Sequence, residues 1–181
     1  LIIAELRMAD KKIAVLALGF RPFYLLAASW SVFAIFEWLL ELQGIGVRGL
    51  NFISSMQWHA HEMIFGFAAT VITGFALTAV RAWTSLSTPT GKGLLLLVLL
   101  WCGARIGVFT GTFLALLDIL FLPIIAIVTG RLIVKAQMYR NLFLPMILTL
   151  LGLLNLCFYL SVLGRISFDT NYIIFASLYL I

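Results

Sequence analysis

Long apolar runs alternate with short polar breaks along the chain, and each run has the length of a bilayer crossing. The pattern predicts helices over about 22–42, 57–80, 93–109, 113–134 and 142–163. Each is close to the roughly 20 residues that a helix needs to span hydrocarbon. A sixth run opens near Asn171 and holds about 11 residues before Ile181, so it reads as a truncated span. The breaks carry the expected punctuation: a Gly-rich loop from Gln43 to Met56, a linker with Pro89 and Gly91, and a tight turn at Thr110-Gly111-Thr112. Pro22 suits the first turn of the first helix, and Pro123 predicts a kink inside the fourth. The runs lack the period-two alternation of a barrel strand, so helices are the remaining way to satisfy the backbone in lipid.

The expected fold class is therefore all-α: a polytopic transmembrane helix bundle with about five complete spans plus a truncated sixth. Residues 1–181 read as a single transmembrane domain, either a fragment or a split half, with 1–12 disordered or interfacial. Met8 reads as the natural start, and no cleavable signal is evident. No internal repeat or low-complexity segment interrupts this organisation.

Composition agrees and adds a sign. Hydrophobic residues make up 64% of the chain and charged residues only 10%, with a mean hydropathy of +1.15. The net charge of +5 flanks apolar runs rather than forming a basic face, which favours loops meeting a lipid bilayer over nucleic acid. One set of helix ends carries Arg21, Arg81, Lys92, Arg131, Lys135 and Arg140, with Lys11 and Lys12 ahead of them; the other carries Arg48 and Arg165. This asymmetry predicts a cytoplasmic N-terminus. Cys102 and Cys157 lack metal-motif spacing and read as small apolar fillers.

Both histidines of the chain lie in Trp58-His59-Ala60-His61-Glu62-Met63-Ile64-Phe65-Gly66-Phe67, at the start of the second span. Glu37 lies ~22 Å along the first helix and Asp118 ~8–10 Å into the fourth, while Arg105 is about one turn from the end of the third. These depths put Glu37, His59, His61, Glu62, Arg105 and Asp118 in the outer half, which suggests one site drawn from four helices. Ionisable groups inside a membrane are expensive and usually functional. At about 100° per residue, His59, Glu62, Met63, Gly66, Thr70, Thr73 and Gly74 share one small, polar stripe, and His61 points nearly the opposite way. On a regular helix, two histidines at i and i+2 do not grip one metal ion. Neutral imidazole ligates haem iron and copper, so either histidine is eligible, and His59 is favoured by geometry. Plainer readings stand beside these. A histidine at a membrane interface also serves as a hydrogen-bonded anchor. Trp58 reads as an aromatic-belt residue, Met63 as packing, and Arg105 with Asp118 as an ion pair across the hairpin between them.

The segments Leu18-Gly19-Phe20-Arg21-Pro22-Phe23, Trp58 to Ala68, and Gly74-Phe75-Ala76-Leu77-Thr78-Ala79-Val80 resemble, in order and spacing, the NnrS family of bacterial membrane proteins. The likeness is strong over about residues 18–85. The family tends to read Val-Pro-Asn-Trp-Thr-Gly after the second span, where this chain has Val80-Arg81-Ala82-Trp83-Thr84-Ser85. The resemblance implies a protein with about twice as many spans, associated with haem and copper and with the response to nitric oxide. It implies metal-ligand roles for His59 and His61. Glu62, Arg105, Asp118 and Glu37 would be supporting or proton-handling groups, with Arg105 also suited to pair a haem propionate. Arg21, Pro22, Trp58, Met63, Gly66, Gly74 and Trp83 would be structural residues of the family motif. Partners would be the bilayer and either a missing C-terminal half or a second copy. Two other functions share these residues: a proton-coupled transporter, which needs a polar path to the inner side, and a non-catalytic membrane subunit.

Overall fold

The computed structural model describes residues 14–46 and 53–181. The expectations for Met8, for residues 1–12 and for Arg48 lie outside the described residues. Regular structure among the described residues is helical, and five helices are long and apolar enough to cross a membrane. We number them α1 (Phe20–Leu42), α2 (Ser55–Thr84), α3 (Lys92–Thr110), α4 (Leu116–Lys135) and α5 (Phe143–Val162), followed by a short α6 (Thr170–Leu180). One-turn 3₁₀ segments precede α1, α4 and α5.

Local signals set the helix ends. Ser54 caps α2 through a capping box with Gln57: the Gln57 amide donates to the Ser54 hydroxyl at 3.2 Å, and the Ser54 amide donates to Gln57 Oε1 at 3.1 Å. Asp169 caps α6 by accepting from the Asn171 amide at 2.8 Å. The Gln57 side chain also donates to the Thr170 hydroxyl at 2.5 Å, tying the start of α2 to the start of α6. Gly111 ends α3 with φ +68°, a left-handed cap that suits glycine. α4 runs unbroken through Pro123 as one helix.

α2 is the centre of the bundle. In its most apolar stretch 61% of residues are buried, against 22–44% for the other spans. It packs against α1 and α4, while α3 lies against α4 and α5 bridges α4 and α6. Gly74 permits a close approach of the start of α1 to α2, since a Cβ there would meet the Tyr24 ring at 2.9 Å. The buried apolar core runs through all these helices, from Phe23 and Trp58 to Leu148 and Phe158.

The family-motif residues mostly serve this packing. Pro22 is buried in the first turn of α1, and Arg21 donates to the Ala14 carbonyl at 2.7 Å. Met63 is half-buried against the core, and Trp83 meets the Phe75 and Phe143 rings edge-on or tilted. Trp58 departs from expectation. It is 0% exposed and sits in the core rather than in an interfacial belt, at the start of α2 where Gln57 ties that helix to α6.

Candidate functional site: a buried ionic cluster and a stacked histidine

α2 is not a regular helix. Its first turns are α-helical (Ser55–His61), then Glu62–Ala68 is π-helical, and α geometry resumes at Ala69. A π segment inserts an extra residue into the turn and re-aims the side chains around it. His61, the last residue before it, and Glu62, its first, both face the interior, 1% and 0% exposed. Gly66 makes room for this. A Cβ there would lie 2.6 Å from Trp30 Nε1 and 2.7 Å from Glu62 Oε2, so only glycine lets the indole reach the carboxylate.

Glu62 is held from three directions. Its Oε2 accepts from Trp30 Nε1 of α1 at 2.6 Å and from Arg105 Nη1 of α3 at 2.7 Å. Its Oε1 lies 2.8 Å from His61 Nδ1. Arg105, itself 2% exposed, pairs through its other terminal nitrogen with Asp118 of α4. Asp118 Oδ2 accepts from Asn155 Nδ2 at 2.9 Å and from the Tyr159 hydroxyl at 3.1 Å, both on α5. Asn155 Oδ1 then faces His61 Nε2 at 3.0 Å, closing the ring. Both nitrogens of His61 therefore face acceptor oxygens. Below the ring, Trp101 donates to the Thr70 hydroxyl at 2.6 Å, and Thr70 donates to the Gly66 carbonyl at 2.7 Å.

This arrangement brings His61, Glu62, Arg105 and Asp118 into one buried site, which their matched depths along separate helices suggest. It corrects the helical stripe. His61 rather than His59 joins Glu62, because α2 is buried on more than one face and α5 brings Asn155 against the His61 side. The Arg105–Asp118 ion pair is present, and Glu62 shares the same guanidinium, so protein carboxylates take both terminal nitrogens of Arg105. Glu37 is buried in α1 about two turns beyond Trp30. Asn155, Tyr159, Trp30 and Trp101 belong to the site and are not in the expected set. Asn155 is a lone amide inside an apolar run, and that is the sequence signal that marks it.

His59 sits apart. Its ring stacks on Trp38 of α1 with centroids 4.1 Å apart and planes 16° from parallel. His59 Nδ1 is buried and has no hydrogen-bond partner, and the same holds for Trp38 Nε1 and for Ser55 Oγ. Among the described residues no group of three or more His, Cys, Asp or Glu side chains converges as a complete metal site would. The donors fit a haem or copper centre only in part. His61 has both nitrogens engaged, so His59 is the imidazole with a nitrogen left to bind.

Compared with known proteins, residues 14–181 match the sequence profile of the family described as NnrS protein. No curated protein matches the chain, and no solved structure does.

Proposed function

The chain belongs to the NnrS family, and on that premise we propose that it is a haem- and copper-associated protein of a bacterial inner membrane that acts in the response to nitric oxide stress. The chain is a multi-pass membrane protein by its five apolar spans and its family. Its Lys and Arg asymmetry supports a cytoplasmic N-terminus, which puts the histidine-bearing end of the bundle on the outer side. On this reading the chain is one transmembrane domain whose further metal ligands come from outside the described residues, in another part of the same polypeptide or in a second copy.

The observation that carries the reading is the division of labour between the two histidines. His61 is committed on both sides to Glu62 and Asn155, whereas His59 keeps a buried nitrogen without a partner. A bound haem or copper would supply redox chemistry and an exchangeable coordination position. His59 would hold it. The cluster of Glu62, Arg105, Asp118 and His61 would fix the first turns of α2 so that His59 keeps its direction. Water is excluded around the cluster, so its ion pairs gain strength from the low-dielectric interior.

The deciding experiment is an optical spectrum with iron and copper analysis of detergent-purified protein, wild type and with His59→Ala and His61→Ala separately. The expected result is a haem band or stoichiometric copper in the wild type that His59→Ala removes. Wild-type protein with no haem band, no iron and no copper refutes the cofactor assignment.

A further inference from the structure

We propose that Trp38 is the positioning residue for His59, and that Trp38, Ser55 and His59 form one binding corner at the histidine end of the bundle. The inference rests on the reading that His59 is the ligating histidine. A metal-bound imidazole presents its lone pair in the ring plane, so whatever fixes that plane fixes the direction of the bond. The usual device is a hydrogen bond from the other ring nitrogen to a carboxylate or carbonyl. In His59 the nitrogen left to bind is Nδ1, buried without a partner, and no hydrogen bond at the other nitrogen orients the ring. The near-parallel indole 4.1 Å away is what holds the plane instead. An imidazole against a stacked ring loses the rotation about its second side-chain torsion that it would otherwise keep.

The same corner holds two more orphaned atoms. Ser55 is one turn before His59 on α2, so the two side chains are neighbours on the helix surface. Its hydroxyl is buried without a partner, as is the indole N–H of Trp38. A buried polar atom left unpaired is costly and calls for an explanation. Three of them, brought together by one helix turn and one ring stack, form a set with one lone pair to bind and two donors to offer. That set suits a metal centre that carries a hydrogen-bond acceptor at its edge. His61 cannot take this part, because both its nitrogens are spent within the ionic cluster.

The test compares Trp38→Phe, which keeps a stacking ring and removes the N–H, with Trp38→Leu, which removes the stack, and with His59→Ala. Purified proteins in detergent are titrated with ferric haem and, separately, with Cu(I); optical and electron paramagnetic resonance spectra are recorded. Circular dichroism and size-exclusion profiles check the fold. His59→Ala loses the bound spectrum. Trp38→Leu weakens binding by about tenfold or more and alters the spectral line shape. Trp38→Phe keeps the line shape and weakens binding by roughly threefold to tenfold. If Trp38→Leu fails to fold, Trp38→Met takes its place. Trp38 variants with wild-type affinity and line shape, alongside a His59→Ala variant that has lost binding, overturn the role of Trp38 and leave His59 ligation standing. A His59→Ala variant that binds as the wild type does, or wild-type protein that takes up neither probe, overturns ligation by His59 and this inference with it.

Discussion

Replacing Arg105 by Met removes the guanidinium that pairs with two buried carboxylates. Arg105 is 2% exposed, with Nη1 2.7 Å from Glu62 Oε2 and Nη2 on Asp118 Oδ1. Met keeps most of the aliphatic stem, so the packing loss is small and the change is chiefly electrostatic. Removing one member of a buried pair costs about 3–5 kcal/mol, because the remaining charge is stranded in low dielectric. Here two carboxylates are stranded, which puts the expected cost at the upper end, about 4–5 kcal/mol. Hydrogen bonds from Trp30 and His61 to Glu62, and from Asn155 and Tyr159 to Asp118, keep the loss from being larger. The assay is equilibrium unfolding in mixed micelles with rising SDS fraction, followed by far-UV ellipticity. Ile106→Ala, on the exposed face of the same helix, is the control. The triple variant Glu62→Gln, Arg105→Met, Asp118→Asn removes the stranded charges and should recover at least half of the loss, since neutral isosteres of a buried pair are often tolerated. If Arg105→Met lies within about 0.5 kcal/mol of the wild type, in the range of an ordinary surface change, the electrostatic account fails. A triple variant no more stable than Arg105→Met also refutes it, because the cost would then be one of shape.

Three further outcomes follow from the packing. Gly66→Ala puts a methyl group against Trp30 and Glu62; it should cost about 1–3 kcal/mol and shift tryptophan emission as the indole leaves the carboxylate, measured in the same unfolding series. Ser54→Ala removes the cap and the capping box of α2 and should cost about 1 kcal/mol, with Ser54→Gly costing less. Trp58→Ala empties a fully buried site and should cost about 3–5 kcal/mol; an interfacial tryptophan would show a far smaller loss, so one midpoint separates the two placements.

The spans were legible because bilayer thickness imposes length on the sequence: the expected first span, 22–42, meets the observed Phe20–Leu42, and 93–109 meets Lys92–Thr110. The matched heights of Glu62, Arg105 and Asp118 were legible too, since a rise of ~1.5 Å per residue converts position along a helix into height. Lateral placement was not. Nothing in the run Leu142–Leu163 says that Asn155 faces His61, because that direction depends on how α5 turns against α4 and α2. The π segment was hidden for a related reason. It is held by partners distant in sequence, Trp30 and Arg105 on Glu62, which no residue preference within Glu62–Ala68 announces. Trp58 was misread because tryptophan is common both at interfaces and in cores, and residue type alone does not separate them.

α1 and α2 run antiparallel, and this connects the cluster with the stack. Trp30 and Trp38 are eight residues apart on α1, roughly 12 Å along its axis. Trp30 reaches the turn of Glu62 and Gly66, and Trp38, toward the other end of the contact, covers His59. The two indoles are therefore successive contacts along one helix–helix seam. The charge cluster clamps that seam: Glu62 is gripped from α1 and α3, and Asp118 and Asn155 lock α4 and α5 onto His61. A helix fixed at Glu62 from several sides cannot rotate freely at His59, less than one turn away. On the proposed reading, the costly buried charges hold the orientation of His59, the imidazole that keeps a nitrogen free. That gives a physical reason for a lipid-facing chain to bury an arginine, two carboxylates and a histidine beside it.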